Sequence, residues 1–418
     1  MGHLLMVESW VGSMSTLLPN GLRTAGHTFS FLTRDLGHYL RGKPATHPLL
    51  GADNIFTTET NDAAALVPYV RRLHELFAFD GVLSSCDYYL PAVAAIAEDL
   101  GLPGPSREAV DAACRKDRTR AVCEAAGVPG PSFAVAQHWD ELSGAARELG
   151  YPLVVKPVDL CGGMFVRRVD DVVQLRRAFE AIAGFPVNAR GQLRAPQILI
   201  EECVHGPEYS VETVTVRGQT TVVGVTDKQL SGAPAFIEAG HMFPAAVSAD
   251  ERAALADVAC AAIDALGLDD TVAHTEIKCG AEGPRLIEVN PRPAGNRITE
   301  LVRRVTGIDL AAVHAEVAAG GIPDVTPRPT DTGSAAIAFA VADREGVLAA
   351  TSGAGHWGDD SRIVEHAVAE PGTRVRIATD NNTYLGHVMV VDRQPGAAGV
   401  VAHGLIDALD VELTQAPS

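Results

Sequence analysis

"LIEVNPRPAGNRI", residues 286–298, opens as a buried strand and then breaks its own pattern. Leu286, Ile287 and Val289 suit a sheet, while Glu288 and Asn290 interrupt them, and two prolines, an arginine and a glycine follow at once. A carboxylate in apolar company is costly unless it is paired or binds a metal. The partner of Glu288 is therefore the first thing to find.

Just upstream, "TVAHTEIKCGAEGPRLIEVN" (271–290) reads as an antiparallel hairpin turning at 281–284. Pairing about residue 282 sets Glu276 opposite Glu288 and His274 opposite Asn290. Side chains alternate between faces, so His274, Glu276, Lys278, Glu288 and Asn290 share one face with Val272. Two carboxylates facing each other across strands repel, and a divalent cation removes the repulsion. Hard oxygen donors on a short hairpin suit Mg²⁺, which completes its octahedron with phosphate oxygens and water. The other reading is a solvated face with a salt bridge to Lys278.

The rest of the chain sets bounds on the partners. Its 418 residues suit two to four domains, and 47% apolar with 21% charged residues is ordinary for a globular protein. A net charge of −18 disfavours nucleic acid and anionic membrane surfaces. An anionic ligand must then be held by locally gathered cations. The seven cysteines are scattered and never spaced as CxxC, which reads as reduced thiols in a cytoplasmic protein. The N-terminus lacks the features of a signal peptide, and the longest apolar run, 335–342, is too short to cross a bilayer.

Strands and helices alternate over the first hundred residues: "HLLMVES" (3–9), "STLLPNGLRTAG" (15–26), "HTFSFLTRD" (27–35), "FDGVLSSC" (79–86) and "LPAVAAIAEDLG" (90–101). This rhythm predicts a parallel, Rossmann-like sheet, and without GxGxxG it implies no dinucleotide. Residues 106–132 read as a helical stretch, and "YPLVVKPVDLCGGMFVRRV" (151–169) as strand, glycine loop, strand. A hairpin is expected over 208–226 about Arg217-Gly218, and a helix over 250–268. "GGIPDVTPRPTDTG" (320–333) marks a boundary, beyond which "GSAAIAFAVA" (333–342), "TRVRIATD" (373–380) and "LGHVMVVD" (385–392) read as strands of a β-rich lobe.

In their order, the cation-bearing segments around this hairpin resemble the ATP-grasp superfamily, specifically its carboxylate–amine ligase branch, which includes the L-amino acid ligases. The resemblance covers roughly residues 100–315. It implies a mixed α/β and α+β fold with three parts: a Rossmann-like pre-ATP-grasp domain (1–112), an ATP-grasp domain (113–322) with a small lid at about 150–207, and the C-terminal β-rich lobe (333–418). ATP is the expected cofactor with Mg²⁺, and Mn²⁺ is an acceptable substitute. Lys116 and Lys156 would touch the nucleotide phosphates, and Gly162 and Gly163 of "DLCGGMF" would cover them. Glu201 and the Val204 backbone would face adenine, Glu208 the ribose hydroxyls, and Glu202 belongs to the same hinge without a distinct role. Glu276, Glu288 and Asn290 would hold the metal.

By the same resemblance, Lys228 of "VTDKQL" and His241 of "AGHMFPA" would sit near the γ-phosphate and the acceptor substrate. Arg292 would hold the transferred phosphate and the tetrahedral intermediate, for which a planar fork suits better than a lysine. Gly295 and Arg297 would contact the substrate carboxylate. The expected activity is ATP-dependent activation of a small carboxylate, an amino acid or related acid, as an acyl phosphate, followed by coupling to an amine with release of ADP and phosphate. The partners are small molecules, and a homodimer is compatible. Two alternatives are a biotin-carboxylase-like enzyme activating bicarbonate and a nucleotide-binding module without chemistry.

Overall fold

A computed structural model describes residues 1–40, 48–231 and 234–415. The N-terminal sheet is parallel throughout, in the order Asn54–Thr57, Thr28–Thr33, His3–Val7, Gly81–Leu83. Helices Met14–Thr24, Ala63–Phe77 and Leu90–Leu100 follow its strands. At the C-terminal ends of the two strands His3–Val7 and Gly81–Leu83 the chain emerges as Glu8-Ser9-Trp10 and Ser84-Ser85-Cys86-Asp87. Open α/β sheets bind their ligands at such an end.

The helical stretch expected over 106–132 is two helices, Arg107–Ala113 and Lys116–Ala125, parted at Cys114-Arg115. A second sheet is antiparallel, in the order Phe133–Ala136, Ile198–Glu202, Leu153–Pro157, Arg167–Val169. Helices Trp139–Leu149 and Val172–Ala183 pack on it through Leu142, Ala146, Leu175 and Ile182, giving a small body with its own core.

The largest sheet has eight strands, all antiparallel: Gly283–Asn290, Thr271–Gly280, Glu208–Val216, Gln219–Ser231, Ile237–Phe243, Ser334–Val341, Tyr384–Asp392 and Ile363–Val368. Helix Ala249–Leu266 covers part of it, entered through a Ser248–Glu251 capping box and closed by Gly267 in the left-handed region. Helices Ile298–Thr306 and Leu310–Ala318 fill the space between this sheet and the N-terminal domain. The β-rich C-terminal segment thus continues the central sheet. Of "TRVRIATD" only Arg374–Val375 is strand, in a small sheet with Gly346–Ser352 and Asp410–Thr414. No described helix is long and apolar enough to cross a membrane.

Candidate active site

The hairpin register sets His274 opposite Asn290 and Glu276 opposite Glu288. A β-bulge between Glu276 and Ile277 then shifts the pairing, so Lys278 meets Arg285 and the turn tightens to Ala281-Glu282. The polar face of this hairpin floors a cleft of about 640 Å³. Trp10–Met14, Asp87 and Tyr88 from the N-terminal domain form one wall, and Lys156 with the glycine loop forms the roof. Asn381, Asn382 and Tyr384 reach in from the C-terminal segment.

Glu288 is paired with a lysine: its Oε1 accepts from Lys116 Nζ at 3.0 Å, and the same ammonium donates to the Leu160 carbonyl at 2.5 Å. Glu276 accepts from Lys228 and lies 3.3 Å from His274 Nε2. Behind them, His274 Nδ1 meets both oxygens of the fully buried Glu212 at 3.0 and 3.1 Å. Burial opposes charge on this ring, but the Glu212 and Glu276 carboxylates together outweigh it and lift the His274 pKa to about 9. Burial likewise works against ionised Glu276, while Lys228 and His274 bring its pKa far below the usual carboxylate range.

Glu201 accepts from Lys156 at 2.5 Å and from Arg120 Nε at 3.0 Å, with all three side chains buried. Burial and the neighbouring Arg120 push the Lys156 pKa down although Glu201 resists, and the two cations hold Glu201 ionised against its own burial. Arg292 is fixed by Asp87, whose Oδ1 accepts from Nε at 2.8 Å while Oδ2 accepts from Trp10 Nε1 at 2.8 Å. Gly162 and Gly163 adopt φ of 66° and 70°, where a side chain is strained. Their loop lies against the C-terminal segment, with the Asn381 amide donating to the Gly162 carbonyl at 3.0 Å.

The cleft brings together Lys116, Lys156, Gly162, Gly163, Glu201, Glu202, Val204, Glu208, Lys228, Glu276, Glu288, Asn290, Arg292 and Gly295. Glu202 stands at its rim, tied to Arg285 at 2.8 Å. Lys228 lines the cleft with its ammonium against Glu276, Glu208 (3.1 Å) and Glu238 (3.2 Å). Burial disfavours its charge, but these carboxylates raise its pKa well above the ordinary value. Two expectations need correction. His241 is fully buried beneath the floor, 3.3 Å from Glu238 and edge-on to Phe339, so it reaches no substrate space directly. Arg297 turns away to Glu365, which also meets His387 at 3.0 Å, and it does not line the cleft.

Other cleft residues are not marked by the sequence: Asp87, Asn381 and Asn382, and Glu238, which accepts from Asn296 at 2.5 Å. Glu238 was findable, because a carboxylate inside "FIEAGHMF" poses the same question as Glu288. Asp87 was not, since only the fold carries it to Arg292.

Among the described residues no three His, Cys, Asp or Glu side chains converge closely enough to hold a metal by themselves. Glu276, Glu288 and Asn290 present hard oxygens from one hairpin face. That set fits a cation taking its remaining ligands from phosphate and water, as Mg²⁺ does.

Three family models match in order along the chain: an ATP-grasp N-terminal domain over 23–104, an ATP-grasp domain over 149–300, and L-amino acid ligase C-terminal domain 2 over 338–414. Across 99% of both chains the fold superposes on the L-amino acid ligase from Bacillus licheniformis with a TM-score of 0.83 at 22% identity. An uncharacterized protein of Sinorhizobium fredii, y4rH, is 28% identical over 98% of this chain and 86% of its own length. Alanine–anticapsin ligase of Bacillus amyloliquefaciens is 26% identical over 60% of this chain, which spans 56% of that protein. The chain belongs to the ATP-grasp superfamily. Its last match sets it in the carboxylate–amine ligase branch, whose members are ADP-forming enzymes that make carbon–nitrogen bonds.

Proposed function

We propose that this protein uses ATP to activate a small carboxylate, an amino acid or related acid, as an acyl phosphate and couples it to an amine. The observation that carries the reading is the facing pair Glu276 and Glu288 with Asn290, set in one cleft with Lys116, Lys156 and the Asp87-anchored Arg292.

Lys156 and Lys116 hold the nucleotide phosphates, the glycine loop lies over them, and Val204 and Glu201 border the base. Glu208 stands at the ribose end. Glu276, Glu288 and Asn290 would hold Mg²⁺ or Mn²⁺, which when bound neutralises charge on the transferring phosphoryl group. A carboxylate oxygen of the acid attacks the γ-phosphorus as the bond to ADP breaks. The amine nitrogen then attacks the acyl carbon, loses a proton, and expels phosphate. Arg292, held in direction by Asp87, offers its N–H groups to the oxyanion of that second step. Lys228 compensates the carboxylates around it, so Glu276 and Glu238 stay ionised without nucleotide.

The test is ADP release from the purified chain with amino acids supplied in pairs, and mass detection of the condensed product. Release that requires an acid and an amine together, with a product lighter than their sum by one water, supports the reading. Turnover dependent on bicarbonate and biotin would replace it, and no turnover with any pair would leave only a nucleotide-binding module.

A further inference from the structure

Between helix Val172–Ala183 and strand Ile198–Glu202, residues 184–197 leave the small body and cross to the N-terminal domain. Apolar packing holds the start of the strap, where the Phe185 ring meets Phe165 at 5.0 Å between ring centres, while Val187 and Leu193 further along are exposed. Its base is fastened to its own body: Arg194 donates to the Phe185 carbonyl at 2.6 Å and to Asp159 at 3.2 Å. Asp159 also accepts from the Ala195 amide at 2.6 Å and opens the glycine loop. The tip is a tight turn built on Asn188, whose Oδ1 accepts from the Arg190 and Gln192 amides at 2.9 and 3.0 Å.

At that tip Arg190 is buried inside the other domain. Its guanidinium donates to the Ser9 carbonyl and to Tyr39 Oη at 2.9 Å, and lies 5.2 Å from the Tyr39 ring centre and 5.9 Å from that of Tyr89. Its own carbonyl accepts from Arg34 at 2.9 Å and Asn61 at 2.8 Å. Tyr39 in turn donates to Glu8, a buried carboxylate that also accepts from Thr33, Thr60 and the Arg34 amide. The N-terminal domain thus carries a complete guanidinium seat where the strands His3–Val7 and Gly81–Leu83 end. The strap fills it.

We propose that Arg190 is a tethered ligand of this seat and a positioning residue for the cleft. What it holds is specific. It pins Ser9, next to Trp10, while Gln192 donates to the Tyr88 carbonyl at 3.1 Å, next to Asp87. Trp10 and Asp87 are the pair that fix Arg292. Seating the strap therefore sets the wall from which Arg292 is aimed, and through Asp159 it ties that wall to the glycine loop. Only the kinetic consequence rests on the ligase reading.

Hydrogen exchange followed by mass spectrometry tests the clasp without any turnover. In Arg190→Ala, segments 188–192, 8–10 and 86–89 should exchange about tenfold faster than in the wild type, with the helices Trp139–Leu149 and Val172–Ala183 unchanged. Free guanidinium, well below denaturing concentrations, should slow exchange again at 8–10 and 86–89 in this variant alone. Tyr39→Phe, which leaves the strap untouched, should loosen 188–192 in the same way. Wild-type exchange at these segments in both variants would overturn the proposal, as would loosening of the small body's own helices. In the ligase assay Arg190→Ala should lower kcat and regain part of it with guanidinium. An inactive wild type would count against the ligase reading and leave the exchange result to decide the clasp.

Discussion

Glu276 and Glu288 face each other across the hairpin yet share no counter-ion: Lys228 takes the first, and Lys116, 172 residues away in sequence, takes the second at 3.0 Å. Two lysines from separate elements thus neutralise the adjacent carboxylates one by one. The arrangement also separates two otherwise similar substitutions.

Glu276→Gln and Glu288→Gln should each reduce ATP turnover by ~100-fold or more, the scale on which metal sites lose function when their support is altered. Their stabilities should differ. Lys228 keeps Glu208 and Glu238 in the first variant, whereas Lys116 loses its carboxylate in the second, at a cost of ~1–3 kcal/mol. Urea unfolding beside steady-state kinetics reads both. Either variant turning over normally at saturating Mg²⁺ would remove that residue from the metal set.

Arg292→Ala should lower kcat by ~100-fold or more, because an oxyanion donor acts mainly in the transition state. Arg292→Lys keeps the charge without the fork and should recover part of the rate. Asp87→Asn weakens the anchor but spares the guanidinium, so its kcat should fall between wild type and Arg292→Ala. A kcat for Arg292→Ala within about twofold of wild type would dismiss the catalytic role.

Arg297→Ala separates the structural role from the substrate-binding role. The side chain pairs with Glu365 at the start of helix Ile298–Thr306, and its own φ is 69°. Its loss should cost ~1–2 kcal/mol of stability and leave the KM for the acid within about twofold. A large, selective rise in KM with unchanged stability would return it to the substrate site.

His314 lies buried in helix Leu310–Ala318. Burial lowers its pKa from 6.5 to about 4, the Ser84 backbone opposing only in part. The unfolded chain then binds the extra proton first as pH falls, so stability present above pH 6.5 drains between pH 6.5 and 4. From pH 7 to pH 5 the wild type should lose ~2 kcal/mol more than His314→Leu. Parallel stability curves for the two would show that this ring is not the acid-sensitive group.

The hairpin and its register are readable because alternation and a short turn are local. The bulge after Glu276 is not, since no residue type there announces an extra pairing step. The helix break at Cys114-Arg115 is hidden by an unbroken run of helix formers. Lysines can be recognised as ligand-facing only through their order along the chain, and order cannot show that Lys228 would stand among three carboxylates. His241 and Arg297 sit one layer behind the cleft, and sequence spacing does not distinguish a layer from its neighbour. In the C-terminal region the strand 346–352 and the helix 397–407 leave no clear trace in the sequence, because glycine and alanine blur both periods.

The C-terminal segment has the look of an appended module, yet it completes the sheet beneath the cleft. Ser334–Val341 pairs along Ile237–Phe243, the strand that presents Glu238 to the cleft and carries His241 below it. Cut away everything from residue 334 onward, and an interior strand becomes a bare edge of unpaired N–H and C=O groups, flanked by apolar side chains and open to any passing chain. A chain shortened in this way should self-associate before it ever behaves as a smaller enzyme. The separate origin suggested by a separate family model does not make the segment separable.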